Sequence, residues 1–178
     1  DNNKVTTLLG HARLIDANTV EVEGQRHTAG TILIASGARP FIPDIPGADH
    51  GITSNEVFHL PELPKRMVIA GAGYIATEFA GVFHELGVDV TLINRSDTIL
   101  RGWEPALADR LLQISMAKGL NFKLNCRLER VEKTEAGLVL HFTDGKTMET
   151  DVVLWALGRV PNVEGLGLED VGVALNER

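Results

Sequence analysis

Short apolar runs, separated by breaks marked with glycine and proline, fill most of the 178-residue chain. Residues 12–15 and 19–22 read as two brief β runs joined by the turn-forming Asp16-Ala17-Asn18. Glu23-Gly24-Gln25 then turns the chain toward His27-Thr28. Residues 31–35 are continuously apolar, as in a strand buried on both faces. A crossing with Pro40, Pro43, Pro46, Pro61 and Pro64 follows. One short helical candidate interrupts it at 54–60, with Ser54 as the expected cap.

The middle of the chain is more regular. Residues 67–70 predict a strand and Gly71-Ala72-Gly73 a turn. A helix over 74–86 places Ile75, Phe79, Val82, Phe83 and Leu86 at helical spacing, and Gly87 ends it. Residues 88–93 form the next strand, so this is a βαβ unit with parallel strands and a right-handed crossover. A second helix spans 104–118, with Pro105 in its first turn and Gly119 beyond its end. Residues 122–124 predict a strand, and 128–132 with 138–142 an antiparallel pair followed by the turn Asp144-Gly145. Residues 152–156 are a further buried strand, closed by Leu157-Gly158-Arg159. The fold class is therefore α/β, a Rossmann-like βαβ domain with a parallel sheet plus an antiparallel β meander.

Composition narrows the function classes. Lys+Arg total 17 against 24 Asp+Glu, a formal net charge of -7, which argues against a nucleic-acid partner. No apolar run reaches the roughly 18 residues that span a bilayer, so no membrane partner is expected. No signal-peptide pattern opens the chain either, which makes a cytoplasmic location the expectation. No two of the six histidines stand at the close spacing of a helical metal motif, and no metal site is expected. The single cysteine, Cys126, has no second thiol to pair with, and no catalytic residue is assigned in this chain. The sequence has no initiating Met, and Asn176-Glu177-Arg178 carries no stop signal. A piece of a longer protein is the expectation.

The strongest chemical feature is Gly71-Ala72-Gly73-Tyr74-Ile75-Ala76 between strand and helix. Gly71 permits the tight turn, bare Gly73 lets backbone lie against a pyrophosphate, and small Ala76 allows close helix packing. The helix N-terminus offers free N–H groups to the phosphates. After the second strand, a site for NAD usually has an acid that accepts ribose hydroxyls. Here Asn94 and Arg95 stand, with Arg101 six positions on, and two guanidiniums suit a 2′-phosphate. Glu78 reads equally as a surface glutamate or as a cleft residue that bonds a carboxamide. Tyr74 reads as a ring cover or as simple packing. Trp103 and Trp155 read as core or rim residues.

Together, residues 71–81 (GAGYIATEFAG), 155–162 (WALGRVPN) and 32–40 (ILIASGARP) resemble the flavoprotein disulfide reductases, also called pyridine nucleotide-disulfide reductases. The spacing of Arg95 and Arg101 and the stretch 100–105 are most similar to the glutathione reductase branch. The resemblance implies a segment of an FAD-binding domain over 1–40, an NADPH-binding domain over 41–161 and a return segment over 162–178. Beside the turn glycines Gly71 and Gly73, it implies NADPH contacts at Ala72, Ile75, Glu78, Arg95, Arg101 and Gly158. It makes Tyr74 the ring that shields the flavin and moves aside for nicotinamide. Ala12 becomes a backbone contact to the FAD adenine, and Ser36-Gly37 a second flavin-side turn. Ser96 and Asp97 depart from the His or Lys common beside the first arginine, and Ser36 stands where threonine is common. The redox cysteine pair, the first flavin fingerprint and the dimer domain would lie outside this chain. The whole protein would be an NADPH-dependent homodimer that reduces a small disulfide such as glutathione disulfide. Dihydrolipoamide and mercuric reductases are the sibling readings, and they usually carry an acid where Asn94 stands. A non-catalytic module that senses the NADPH/NADP balance is the alternative from another class.

Overall fold

A computed structural model describes residues 3–176; Glu177 and Arg178, part of the terminal tripeptide noted above, lie outside the described residues. Contacts divide the chain into two compact units, one of residues up to Arg39 and from Val160 onward, the other Pro40–Arg159.

The first unit contains an antiparallel meander of β1 (Ala12–Asp16), β2 (Thr19–Val22) and β3 (Gln25–Thr28). Asp16 Oδ1 accepts the Asn18 N–H at 2.8 Å, and the Asn18 amide donates to the Ala29 carbonyl at 2.9 Å. Residues 31–35 form no strand, contrary to the apolar pattern, and Leu33 is 87% exposed. A run buried on both faces needs neighbours on both, and the described part of this unit supplies no pairing strand. Asn162 instead holds the following turn: its N–H donates to the Gly37 carbonyl at 2.9 Å and its amide to the Ser36 carbonyl at 3.1 Å.

Arg39 Nη2 meets Glu164 Oε1 at 2.6 Å and Nη1 meets Oε2 at 3.0 Å. These bonds hold the Glu164 carboxyl down at about 2, against an ordinary 4.5. A depressed carboxylate contributes stability above its ordinary value, and that contribution disappears as pH falls from 4.5 through about 2. Both side chains are more than half exposed, so the effect is local. Carboxyl-carbon NMR should find Glu164 titrating far below the other glutamates in wild type and in the ordinary range in Arg39→Ala. Equal midpoints in the two proteins would discard the pairing.

The chain crosses through β4 (Ala38–Pro40) to the two-residue β5 (Ile52–Thr53) and a 3-10 turn at Val57–His59. The cap position is Glu56, with no side-chain cap bond, and not Ser54. The Glu56 carboxylate instead accepts the Thr53 N–H at 2.8 Å and its hydroxyl at 2.6 Å, which closes the turn before it. Then come β6 (Arg66–Ala70), α1 (Tyr74–Glu85), β7 (Asp89–Ile93), α2 (Pro105–Ala117) and β8 (Asn121–Lys123). A meander of β9 (Leu128–Thr134), β10 (Gly137–Phe142) and β11 (Thr147–Thr150) leads to β12 (Val152–Trp155). Finally β13 (Arg159–Pro161) pairs with β4. Strands β4, β5, β11 and β13 are additions to the sequence reading. All but β11 are three residues or shorter, too brief to show a period.

The five-stranded sheet runs β5-β12-β6-β7-β8 and is parallel throughout. Alternation sends Met67, Ile69, Val90, Leu92 and Leu154 to the side of α1. Val68, Ala70, Ile93, Val153 and Trp155 face the β9–β11 meander. Both faces are covered, which is why these strands read as continuous apolar runs. The buried face of α1 is Ala76, Ala80 and Phe83, whereas Val82 and Leu86 of the expected stripe are 54% and 56% exposed. Small residues bring the helix axis close to the sheet, and bulky ones at those positions would hold it away. Among the described residues no helix is long and apolar enough to cross a membrane.

Candidate functional site

A parallel sheet delivers every strand's C-terminal end to one edge. Three of the connections that leave that edge are central to the site: 71–73 after β6, 94–104 after β7 and 156–158 after β12. The chain continues from β6 to β7 on one side and returns as β12 on the other, so the strand order reverses at β6. In open α/β sheets the crevice at such a reversal is the ligand site.

The two glycines of the turn do different work. Gly71 has φ +122°, donates its N–H to the Ile93 carbonyl at 2.9 Å, and leaves no room for a Cβ, which would overlap the Ala156 carbonyl. Gly73 has an ordinary extended backbone, φ -78° and ψ -177°, and a Cβ there would meet nothing within 4 Å. The space beside Gly73 is the cradle that a phosphate group would need. Gly73 also caps α1, so no side chain satisfies the first-turn N–H groups, and the first turn carries no acid to compete for their positive field. The donor set fits an anion.

Arg95 and Arg101 lie on the 94–104 connection, exposed, with no ion pair or hydrogen bond among the described residues. Two features fix that connection, and the sequence reading assigned neither. Leu100 adopts φ +50° and donates its N–H to the Ala72 carbonyl at 2.7 Å, which ties the arginine loop to the glycine turn. Its neighbour Ile99 is buried in the α1-side core. The Asn94 amide is turned into its own loop, donating to Ser96 Oγ at 2.7 Å and to the Thr98 carbonyl at 2.8 Å. The available signals were an apolar pair inside a polar loop and an amide two residues before a serine.

The structure brings nine predicted positions to this edge: Gly71, Ala72, Gly73, Tyr74, Ile75, Glu78, Arg95, Arg101 and Gly158. Ala72 is buried, so only its backbone is available to a ligand. Tyr74 is 54% exposed, Ile75 half-buried, and Glu78 exposed one turn further along α1. Gly158 has φ +121°, and its carbonyl accepts the Phe41 N–H at 2.9 Å. Ala12, Ser36 and Gly37 belong to the other unit, Ala12 paired with Val22 and the other two facing Asn162. A cavity of about 460 Å³ lies in that unit among Arg13, Glu164, Leu168 and Asp170. It holds none of the predicted residues, and its arginine is already paired with Asp170 at 2.7 Å, so the sheet edge is the better candidate. Trp155 is a core residue whose Nε1 donates to the Ala48 carbonyl at 2.8 Å, while Trp103 is exposed. Burial pushes the Cys126 thiol up, away from thiolate, and Sγ donates to the Lys123 carbonyl at 3.0 Å.

Comparison with known proteins covers the whole chain. A family profile described as pyridine nucleotide-disulphide oxidoreductase matches residues 1–178. A glutathione reductase of Nostoc sp. is 43% identical over 171 residues, 95% of this chain and 37% of that protein. A glutathione reductase of Burkholderia cepacia is 42% identical over 177 residues, 99% of this chain and 39% of the relative. A mercuric reductase of Staphylococcus aureus is 35% identical over 174 residues, 95% of this chain and 32% of the relative. The chain thus spans about two fifths or less of the curated relatives it matches. Among solved structures, the HOCl-induced flavoprotein disulfide reductase RclA from Escherichia coli superposes with a TM-score of 0.83 at 31% identity, over 95% of this chain and 40% of the other.

Proposed function

The chain belongs to the pyridine nucleotide-disulphide oxidoreductase family, and from that premise we propose that Pro40–Arg159 is the NADPH-binding unit of a glutathione-reductase-like enzyme. One observation carries the reading. The uncapped start of α1, with open backbone at Gly73, shares a sheet edge with two exposed, unpaired arginines. The first suits a pyrophosphate and the second a 2′-phosphate.

In this reading the backbone N–H groups at the start of α1 hold the pyrophosphate, and Arg95 and Arg101 clamp the 2′-phosphate. The Ala72 backbone, Ile75 and Gly158 would line the cleft, Glu78 would bond the carboxamide, and the Tyr74 ring would shield the flavin. When bound, NADPH would supply a hydride, whose two electrons would reach a disulfide through FAD in the longer protein. Ala12, Ser36 and Gly37 are this chain's proposed contributions to the FAD site. The longer protein would be a cytoplasmic homodimer acting on a small disulfide, glutathione disulfide first among them. The chain's one cysteine is set against thiolate by burial and has no internal partner, so the chain alone carries no redox pair.

The test is purification of the chain, a visible spectrum after gel filtration, and calorimetric titration with NADPH. Saturable NADPH binding, no stoichiometric flavin band and no NADPH-dependent disulfide reduction are expected. A flavin band at one per chain, or absence of NADPH binding, would overturn the assignment.

A further inference from the structure

We infer that Asn94 is a positioning residue for coenzyme choice: its amide closes the loop that presents Arg95, in place of the acid that would bond a ribose hydroxyl. This rests on the NADPH reading above and adds a residue to it.

Every donor of Asn94 is committed. Its two amide contacts, to Ser96 Oγ and to the Thr98 carbonyl, span four residues and fold 94–98 back on itself. Its N–H donates to the Lys123 carbonyl and its carbonyl accepts the Cys126 N–H, both at 3.0 Å. The Ser96 carbonyl accepts the Asn125 N–H at 3.1 Å. Arg95 therefore sits between two residues that are each fixed to the segment after β8. Leu100, fixed to the Ala72 carbonyl, sets the chain immediately before Arg101 in the same way.

The chemistry selects an amide. A carboxylate has no donor for the Thr98 carbonyl and would place negative charge against it. An alanine keeps the backbone ties and loses the closure. An acid at this strand end is the usual ribose partner in NAD sites, and it would also repel a 2′-phosphate. Asparagine removes the repulsion and uses the freed position to set the arginine loop.

Dissociation constants for NADPH and NADH separate this role from a general contribution to folding. Asn94→Ala should weaken NADPH roughly fivefold, about the effect of one lost hydrogen bond, and leave NADH within about twofold. Asn94→Asp should weaken NADPH further. Ser96→Ala, which removes one of the two partners, should show a smaller loss of the same sign and serves where the Asn94 variants fold poorly. In an Arg95→Ala background, Asn94→Ala should cost under about twofold more, because it acts through the missing guanidinium. Equal losses for both coenzymes, or unchanged NADPH affinity in Asn94→Ala and Ser96→Ala, would each overturn the inference while wild type still prefers NADPH. A wild type that prefers NADH would overturn the coenzyme reading itself, and the inference with it.

Discussion

Gly73→Val should abolish dinucleotide binding and leave the melting temperature almost unchanged, while Gly71→Val should unfold the sheet edge. The two glycines stand two residues apart, and a motif-level argument treats them alike. Their surroundings differ. A side chain at Gly73 enters open space from an ordinary backbone angle, so the protein alone has nothing to object to. The same atoms fill the volume proposed for the pyrophosphate. Losing two charge-assisted contacts of about 1.5 to 3 kcal/mol each weakens binding by at least about a hundredfold. At Gly71 the backbone angle of +122° is hostile to any side chain, and the Cβ would overlap the Ala156 carbonyl. The combined strain and overlap should cost about 3 kcal/mol or more, enough to lower the melting temperature by roughly 10 °C. Calorimetry and thermal melts on both variants decide the matter. Unchanged affinity in Gly73→Val would move the phosphate site elsewhere.

Replacing either arginine with alanine should cost NADPH roughly tenfold or more in affinity and cost NADH almost nothing. The 2′-phosphate is the only difference between the coenzymes, and each guanidinium contact to it is worth about 1.5 to 3 kcal/mol before screening. Neither Arg95 nor Arg101 has a competing partner among the described residues, so no ion pair has to break when the phosphate arrives. Both are exposed, so the preference for NADPH should shrink as salt rises. Asp97 on the same loop works against them and sets a limit on the wild-type preference. Dissociation constants at two salt concentrations for wild type, Arg95→Ala and Arg101→Ala check this. Equal losses for both coenzymes would make the arginines structural.

The parallel strands, the glycine turn and both helices were legible because each rests on a local rule. A strand covered on both faces is apolar at every position, as 67–70 and 152–155 are. A turn of +122° requires glycine. What escaped the sequence depends on partners distant along the chain. Residues 31–35 have the composition of a buried strand, but composition does not supply the neighbours that bury it. The α1 stripe was assigned to its large residues, whereas the buried face combines Phe83 with small Ala76 and Ala80, which let the helix approach the sheet closely. The helical candidate over 54–60 is only a 3-10 turn capped at Glu56, because the Glu56 carboxylate is held by Thr53 rather than by the turn's own N–H groups. The roles of Asn94 and Leu100 appear only when 94–100 is seen against the Lys123–Cys126 and Ala72 backbone.

The position of β12 has a kinetic consequence. It lies between β5 and β6, pairing Leu154 with Ile52 and with Ile69. Its contact with β5 joins residues about a hundred positions apart, the kind of pairing whose closure entropy slows folding. During synthesis, β6, α1 and β7 are complete while β12 does not yet exist, and one edge of β6 stays open. The carbonyl that encloses Gly71 belongs to Ala156, directly after that late strand. The nascent chain thus holds its glycine motif for some eighty residues of elongation before the turn has its second wall. A dinucleotide bound at the proposed site would thus meet a βα turn enclosed on one side only until β12 inserts.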